Sequence, residues 1–150
     1  MKPDAHKVLI YATWQGRLLL FDEPDFPEIE IQVPGGTMEP GESPEQAAAR
    51  EFTEETGLTS PQALTHLVTQ DYHYKKDERT VCHRRHYFHV ALGEEQQESW
   101  THQEMTPFGG GEPIRFRFFW LEIEEARSRL GYGMQDALDF LEARCICPSP

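Results

Sequence analysis

The chain has 150 residues, 38% hydrophobic and 27% charged, which fits one globular domain, residues 1–150, with a buried core. Its formal net charge of −12 is the opposite of the basic face that duplex nucleic acid selects, so a protein of this charge that handles phosphates needs cations as intermediaries. No apolar run approaches the ~20 residues of a membrane span, and the N-terminal stretch lacks the apolar segment of a signal peptide, so the expected compartment is cytoplasmic.

In chain order, His6 to Trp14 reads as a strand and Gly16 to Phe21 as its hairpin partner, turning at Gln15-Gly16. Asp22 to Pro27 is acidic, holds two prolines and reads as a loop. Glu28 to Val33 alternates Ile29, Ile31 and Val33, which predicts a further strand ended by Pro34-Gly35-Gly36. Ser43-Pro44 opens a helix, with Ser43 as N-cap, Pro44 at the first position and Gln46 completing a capping box. That helix runs to about Thr56, and Gly57 closes it.

Ala63 to Tyr74 and Thr80 to Leu92 predict two strands joined by a charged turn, Lys75 to Glu78. Gly93 to Pro113 reads as a long polar loop holding Gly109-Gly110-Gly111. Ile114 to Leu121 is an aromatic-rich strand, and Ile123 to Leu130 and Met134 to Ala143 read as helices. Cys82, Cys145 and Cys147 are too few for a disulfide framework, and the last two lack further ligands at metal-binding spacing.

Chemistry concentrates in Gly36 to Leu58, GTMEPGESPEQAAAREFTEETGL. At 100° per residue, Glu51, Glu54 and Glu55 fall within about 100° of helix surface. Ala48, Ala49 and Phe52 are expected to pack on a sheet, with Ala47 leaving space beside the carboxylates. Like charges at this spacing cost a helix about 0.2–0.5 kcal/mol per pair, so the cluster is either a solvated acidic face or a cation site. Hard oxygen ligands suit Mg²⁺, with Mn²⁺ as a substitute. Two or three such ions hold a diphosphate, lower the pKa of a bound water and neutralise charge as a bond breaks.

The segment resembles the Nudix hydrolase box: Gly, five residues, Glu, seven residues, Arg-Glu, apolar, any, Glu-Glu, any, Gly, apolar. Gly36, Glu42, Arg50, Glu51, Phe52, Glu54, Glu55, Gly57 and Leu58 fill every specified position, a match expected on the order of once in 10⁹ random start positions. The resemblance implies an α/β/α sandwich with a mixed central sheet. It implies a pyrophosphohydrolase that cleaves a phosphoanhydride bond in a nucleoside-diphosphate-linked compound. The products are a nucleoside monophosphate plus phosphorylated X, or plus pyrophosphate from a triphosphate.

It also implies metal ligation by Glu51, Glu54, Glu55 and a loop carbonyl, here assigned to Gly35. Arg50 is expected to orient a carboxylate, while Gly36, Glu42 and Gly57 are structural. Relatives add a carboxylate from a late loop. Glu112, just before the strand at Ile114, is the first choice here and Glu104 the second, among Glu94, Glu95, Glu98, Glu104 and Glu112.

Arg84 or Arg85 is a candidate for a substrate phosphate, set against a plain polar strand face. Phe26, Tyr72, Tyr74, Trp100 and Phe108 are candidates for stacking on a base. The alternative function is a nucleotide sensor that binds without cutting, and complete box carboxylates weigh against it. A polynucleotide-end hydrolase conflicts with the negative charge. The identity of X, the general base and the oligomeric state, a homodimer included, stay open.

Overall fold

The computed structural model describes residues 2–59, 61, 63–104 and 111–141. Strand β1 (Ala5–Trp14) returns through Gln15-Gly16, both at positive φ (52° and 75°), into β2 (Arg17–Asp22). Positive φ at both central residues matches the turn to the strands' right-handed twist. A second two-residue turn, Asp77-Glu78 (φ 50° and 66°), joins β4 (Thr65–Lys76) to β5 (Arg79–Ala91).

Residues 28–33 do not form the predicted strand. Gln32 exchanges backbone hydrogen bonds with Phe21 at 2.9 and 3.0 Å, and Ile31 forms a lone bridge to Leu130. Pro27 and Pro34 bracket the segment and remove donors, so no ladder extends. The strand lies instead at β3 (Gly35–Thr37), which was expected to be a terminator.

The predicted loop from Gly93 to Pro113 contains a strand, β6 (Ser99–Glu104), antiparallel to β7 (Ile114–Glu122). Its exposed positions are Ser99, Thr101 and Gln103, a polar composition suited to a sheet edge. Residues 134–137 are turns where a helix was expected, and helix begins at 138; the predicted end at Ala143 lies outside the described residues, as do Cys145, Cys147, Phe108 and Gly109-Gly110.

The strands form one mixed sheet in the order β4-β5-β1-β2-β7-β6, with β3 also pairing β1. Among the described strands only β1 and β5 run parallel to each other. Helix α1 (Pro44–Thr56) covers one face, where Ala47, Ala48 and Phe52 pack with Val8, Ile10, Phe88 and Phe118. Helix α2 (Ile123–Arg129) and the segment through Leu141 cover the other, over Leu9, Tyr11, Leu18 and Leu20. The expected α/β/α sandwich is what the chain forms. Among the described residues no helix is long and apolar enough to cross a membrane.

Candidate active site

Helix α1 is held at both ends by the residues its sequence predicted. Ser43 Oγ accepts from the Gln46 amide at 3.1 Å, and the Ser43 amide donates to Gln46 Oε1 at 2.9 Å. Gly57 adopts φ 78° and donates to the Thr53 carbonyl at 2.9 Å. A Cβ there would sit 2.7 Å from His102 Nδ1, so left-handed backbone and close packing both require glycine.

The helix buries Ala48 and Phe52 as expected, but its buried face is wider than the expected one. Its buried residues are Ala47, Ala48, Glu51, Phe52, Glu55 and Thr56, so Glu51 and Glu55 lie within the inward arc. Ala47 is core rather than space beside the carboxylates, and Ala49 is only half-buried. Glu51 is 9% exposed and Glu55 8%, while the Glu54 side chain is 54% exposed. A solvated acidic face would leave all three in water. Burial pushes the Glu51 carboxyl up to about 7, against the pull of Arg50. Burial also raises Glu55 well above the carboxylate range, opposed by the Gly35 amide, which donates to Oε1 at 3.1 Å.

Arg50 ties the cluster together. Its Nε and Nη2 grip Glu42 bidentately at 2.7 and 2.9 Å, and Nη1 donates to Glu51 at 2.8 Å and to Glu54 at 3.1 Å. Nη2 also reaches the Thr37 carbonyl at 3.2 Å, fastening β3 to the helix. The guanidinium's hydrogen bonds hold the Glu42 carboxyl at about 2.

Glu112, the first choice for the late carboxylate, is exposed ahead of β7. Glu104, the second, lines a cleft of about 410 Å³ with Glu51, Glu55, Gly36 and Lys7. Burial and then the charge of Glu54 raise its pKa. Strand β6 delivers it by alternation. Trp100 Nε1 donates to the Thr56 carbonyl at 2.9 Å and His102 Nε2 to the Glu54 carbonyl at 3.0 Å, so the same strand face docks on the last turn of α1. The alternation Trp100-His102-Glu104 was the available signal, and one apolar residue in it was too weak to reveal a strand.

A second cleft, about 480 Å³, adjoins the first at Lys7, Gly36 and Glu55. Tyr72, Tyr74, His83, Arg85 and Tyr132 line it, with apolar Leu9, Phe21, Val33 and Met134. Arg85 is 5% exposed, donates to the Tyr132 carbonyl at 2.7 Å and lies 3.7 Å above the Tyr72 ring. Arg84 points the other way, into a surface pair with Asp71 at 2.8 and 3.1 Å.

Of the stacking candidates, Tyr72 and Tyr74 reach this cleft. Trp100 instead stacks on Phe118 at 5.2 Å, and Phe26 is exposed. Phe116, Phe118 and Trp120 are buried core on one face of the sheet, and Phe119 is partly buried on the other. Lys7 and Tyr132 carried no signal in sequence, since only the pairing of β1 with β5 and the turn after α2 bring them to the cleft.

The donor set fits a hard divalent cation. Glu51, Glu54, Glu55 and Glu104 supply carboxylate oxygens, and Arg50 Nη1 already sits as a positive group between Glu51 and Glu54. A Cβ on Gly36 would lie 2.2 Å from Glu51 Cδ, so glycine keeps that approach free. Among the described residues no three acidic, His or Cys side chains converge as they stand. Arg50 holds two of these carboxylates and the Gly35 amide holds a third.

The family model described as NUDIX domain matches residues 2–142. No curated protein matches the sequence. Among solved structures, a NUDIX hydrolase from Nitrosomonas europaea is similar at 23% identity, TM-score 0.62, covering 95% of this chain and 90% of its own. The Ap4A hydrolase of C. elegans is similar at 21% identity, TM-score 0.58, covering 94% and 98%. The NUDIX domain of Shewanella oneidensis NrtR, complexed with ADP ribose, is similar at 14% identity, TM-score 0.66, covering 97% and 90%. At these identities the likeness is one of fold.

Proposed function

The chain belongs to the Nudix family and is by that membership a pyrophosphohydrolase, and we propose that it hydrolyses a nucleoside-diphosphate-linked compound with Mg²⁺ at the acidic cleft. The same reading takes residues 1–150 as one domain and places the enzyme in the cytoplasm.

The observation that carries it is the burial of Glu51 and Glu55 on the inward arc of α1, facing Glu104 across one cleft. Buried carboxylates cost stability unless a cation compensates them, so their placement supports metal binding. Bound there, Mg²⁺ would neutralise diphosphate charge and lower the pKa of a water.

The chain's own groups do the rest. Glu51, Glu54, Glu55 and Glu104 would hold the cation, and Gly36, without a Cβ, leaves room beside Glu51. Arg50 orients Glu51 and Glu54, and Glu42 anchors Arg50. The water oxygen bonds to phosphorus, one carboxylate of this wall takes its proton, and the phosphoanhydride oxygen leaves with the bonding electron pair on the phosphorylated product. Solved relatives that act on Ap4A or hold ADP ribose lend support to a nucleotide-type substrate.

The test is a panel of nucleoside-diphosphate compounds with Mg²⁺, scored by phosphate release after phosphatase coupling. Release with Mg²⁺ and none in excess EDTA is the expected result. Undiminished turnover in EDTA overturns the reading.

A further inference from the structure

The last carbonyls of a helix have no partner within it and are met from outside. In α1 the Gly57 amide takes that of Thr53. The helix has no basic residue in its last turn, and two further carbonyls are met by strand β6, from 44 and 48 residues along the chain. Trp100 Nε1 donates to the Thr56 carbonyl and His102 Nε2 to that of Glu54. The His102 ring also fills the space beside Gly57, where a Cβ would lie 2.7 Å from Nδ1 and 3.0 Å from Cε1.

Glu104 follows two residues on, about 7 Å along the same strand face. It is the final residue of β6, and its partner Ile114 is the first of β7, so it sits where the ladder ends. Strand ends open most readily, and β6 is the last strand of the sheet. Trp100 is committed to the core, stacked on Phe118. His102 is half-buried, and its hydrogen bond is made to the backbone of Glu54 itself, one turn or less from Glu51 and Glu55.

We infer that His102 is a positioning residue for Glu104: by capping the Glu54 carbonyl it fixes the end of β6 against the carboxylate face of α1. The glycine that closes the helix has a second task, since the side chain it lacks leaves the space for that ring. The inference rests on the proposed sharing of a cation by Glu104 and the α1 carboxylates, and metal binding without turnover tests it.

The experiment measures the Kd of Mn²⁺ by calorimetry, and kcat and KM on the compound hydrolysed best in the nucleotide panel. The proteins are wild type, His102→Phe, His102→Gln, Glu104→Gln, the double variant His102→Phe with Glu104→Gln, and Thr101→Ala on the exposed face. Thermal melting checks each, and His102→Ala replaces His102→Phe if the larger ring prevents folding. His102→Phe should weaken Mn²⁺ about tenfold and lower kcat about tenfold with KM little changed, the scale of a lost supporting contact. His102→Gln keeps a donor at similar reach and should restore most of both.

In the Glu104→Gln background the His102 change should add less than about twofold, because a residue that acts through Glu104 has nothing left to position. Thr101→Ala should move neither quantity more than about twofold. A loss at His102 of the same size in both backgrounds, or no loss at all, overturns the assignment; the first outcome makes His102 a helix cap and no more. Wild type that binds Mn²⁺ but hydrolyses no nucleotide overturns the proposed reaction, and the Mn²⁺ cycle then decides the role of His102 alone. Wild type that binds no Mn²⁺ overturns both.

Discussion

The two walls that meet at Glu55 are built in opposite ways. The acidic wall is almost local: Glu51, Glu54 and Glu55 lie within five residues of one helix, with Arg50 beside them; Glu39 comes from the loop just before that helix, and among the described residues Glu104 is the acidic group that arrives from far along the chain. The basic wall is assembled from distant segments, with Lys7 on β1, Tyr72 on β4, His83 and Arg85 on β5 and Tyr132 after α2. Helical spacing alone gathers the first. The second exists only once β1 and β5 pair and the turn after α2 folds back over them. A reaction class can therefore be carried by a short motif, while substrate preference depends on side chains that no short motif contains.

The largest effect that would sharpen this contrast lies in the acidic wall. Glu54→Gln and Glu55→Gln should each lower kcat about a hundredfold or more, the scale of a lost charge-stabilising group. Steady-state kinetics decides it, and a residual rate above about a tenth of wild type in both points to a nucleotide sensor instead.

Next comes the single long-range member of that wall. Glu104→Gln should lower kcat about tenfold or more with KM little changed, and Glu112→Gln should leave kcat as it is. The reverse pattern would return the late carboxylate to Glu112 and break the assignment made from β6.

The third comparison sets two arginines against each other. Arg50→Ala leaves Glu42 and Glu51 without their guanidinium in a poorly solvated place, and should cost about 2–3 kcal/mol of stability. Arg84→Ala breaks a surface pair with Asp71 and should cost less than about 1 kcal/mol. Denaturant titration of both variants separates them, and equal losses would mean that Arg50 holds nothing together.

The smallest effect is a pH dependence. The Glu42 carboxyl is lowered from its ordinary 4.5 to about 2 by Arg50. A depressed folded pKa means that the unfolded chain binds the proton first as acid is added. The stabilisation is therefore fully present above about 4.5 and disappears as pH falls toward 2. Melting temperatures across that window should fall less steeply for Glu42→Gln than for wild type. Identical slopes would show that the contact does not contribute to folding.

Short-range information made α1 legible to the residue. Ser43, Pro44, Gln46 and Gly57 act within one turn of themselves, so their pattern specified both ends of the helix. The Gln15-Gly16 turn was legible for the same reason; the second turn was located but drawn too long, since Lys75 and Lys76 pair with Thr80 and Arg79 as the end of β4. The helical arc of Glu51, Glu54 and Glu55 was equally local, and so was the likeness to a known family.

Tertiary structure decided what had no local cause. The alternation of Ile29, Ile31 and Val33 promised a strand, but Pro27 and Pro34 cut its donors and β3 took the place beside β1. Strand β6 was invisible because its inward face carries Trp100, His102 and Glu104, which become an inward face only against the end of α1. Which carboxylates are buried, which of two neighbouring arginines enters the cleft and which late glutamate reaches it all depend on pairings across dozens of residues. A periodic pattern states which side chains share a face; only the packed neighbour determines whether that face meets water, a core or a cleft.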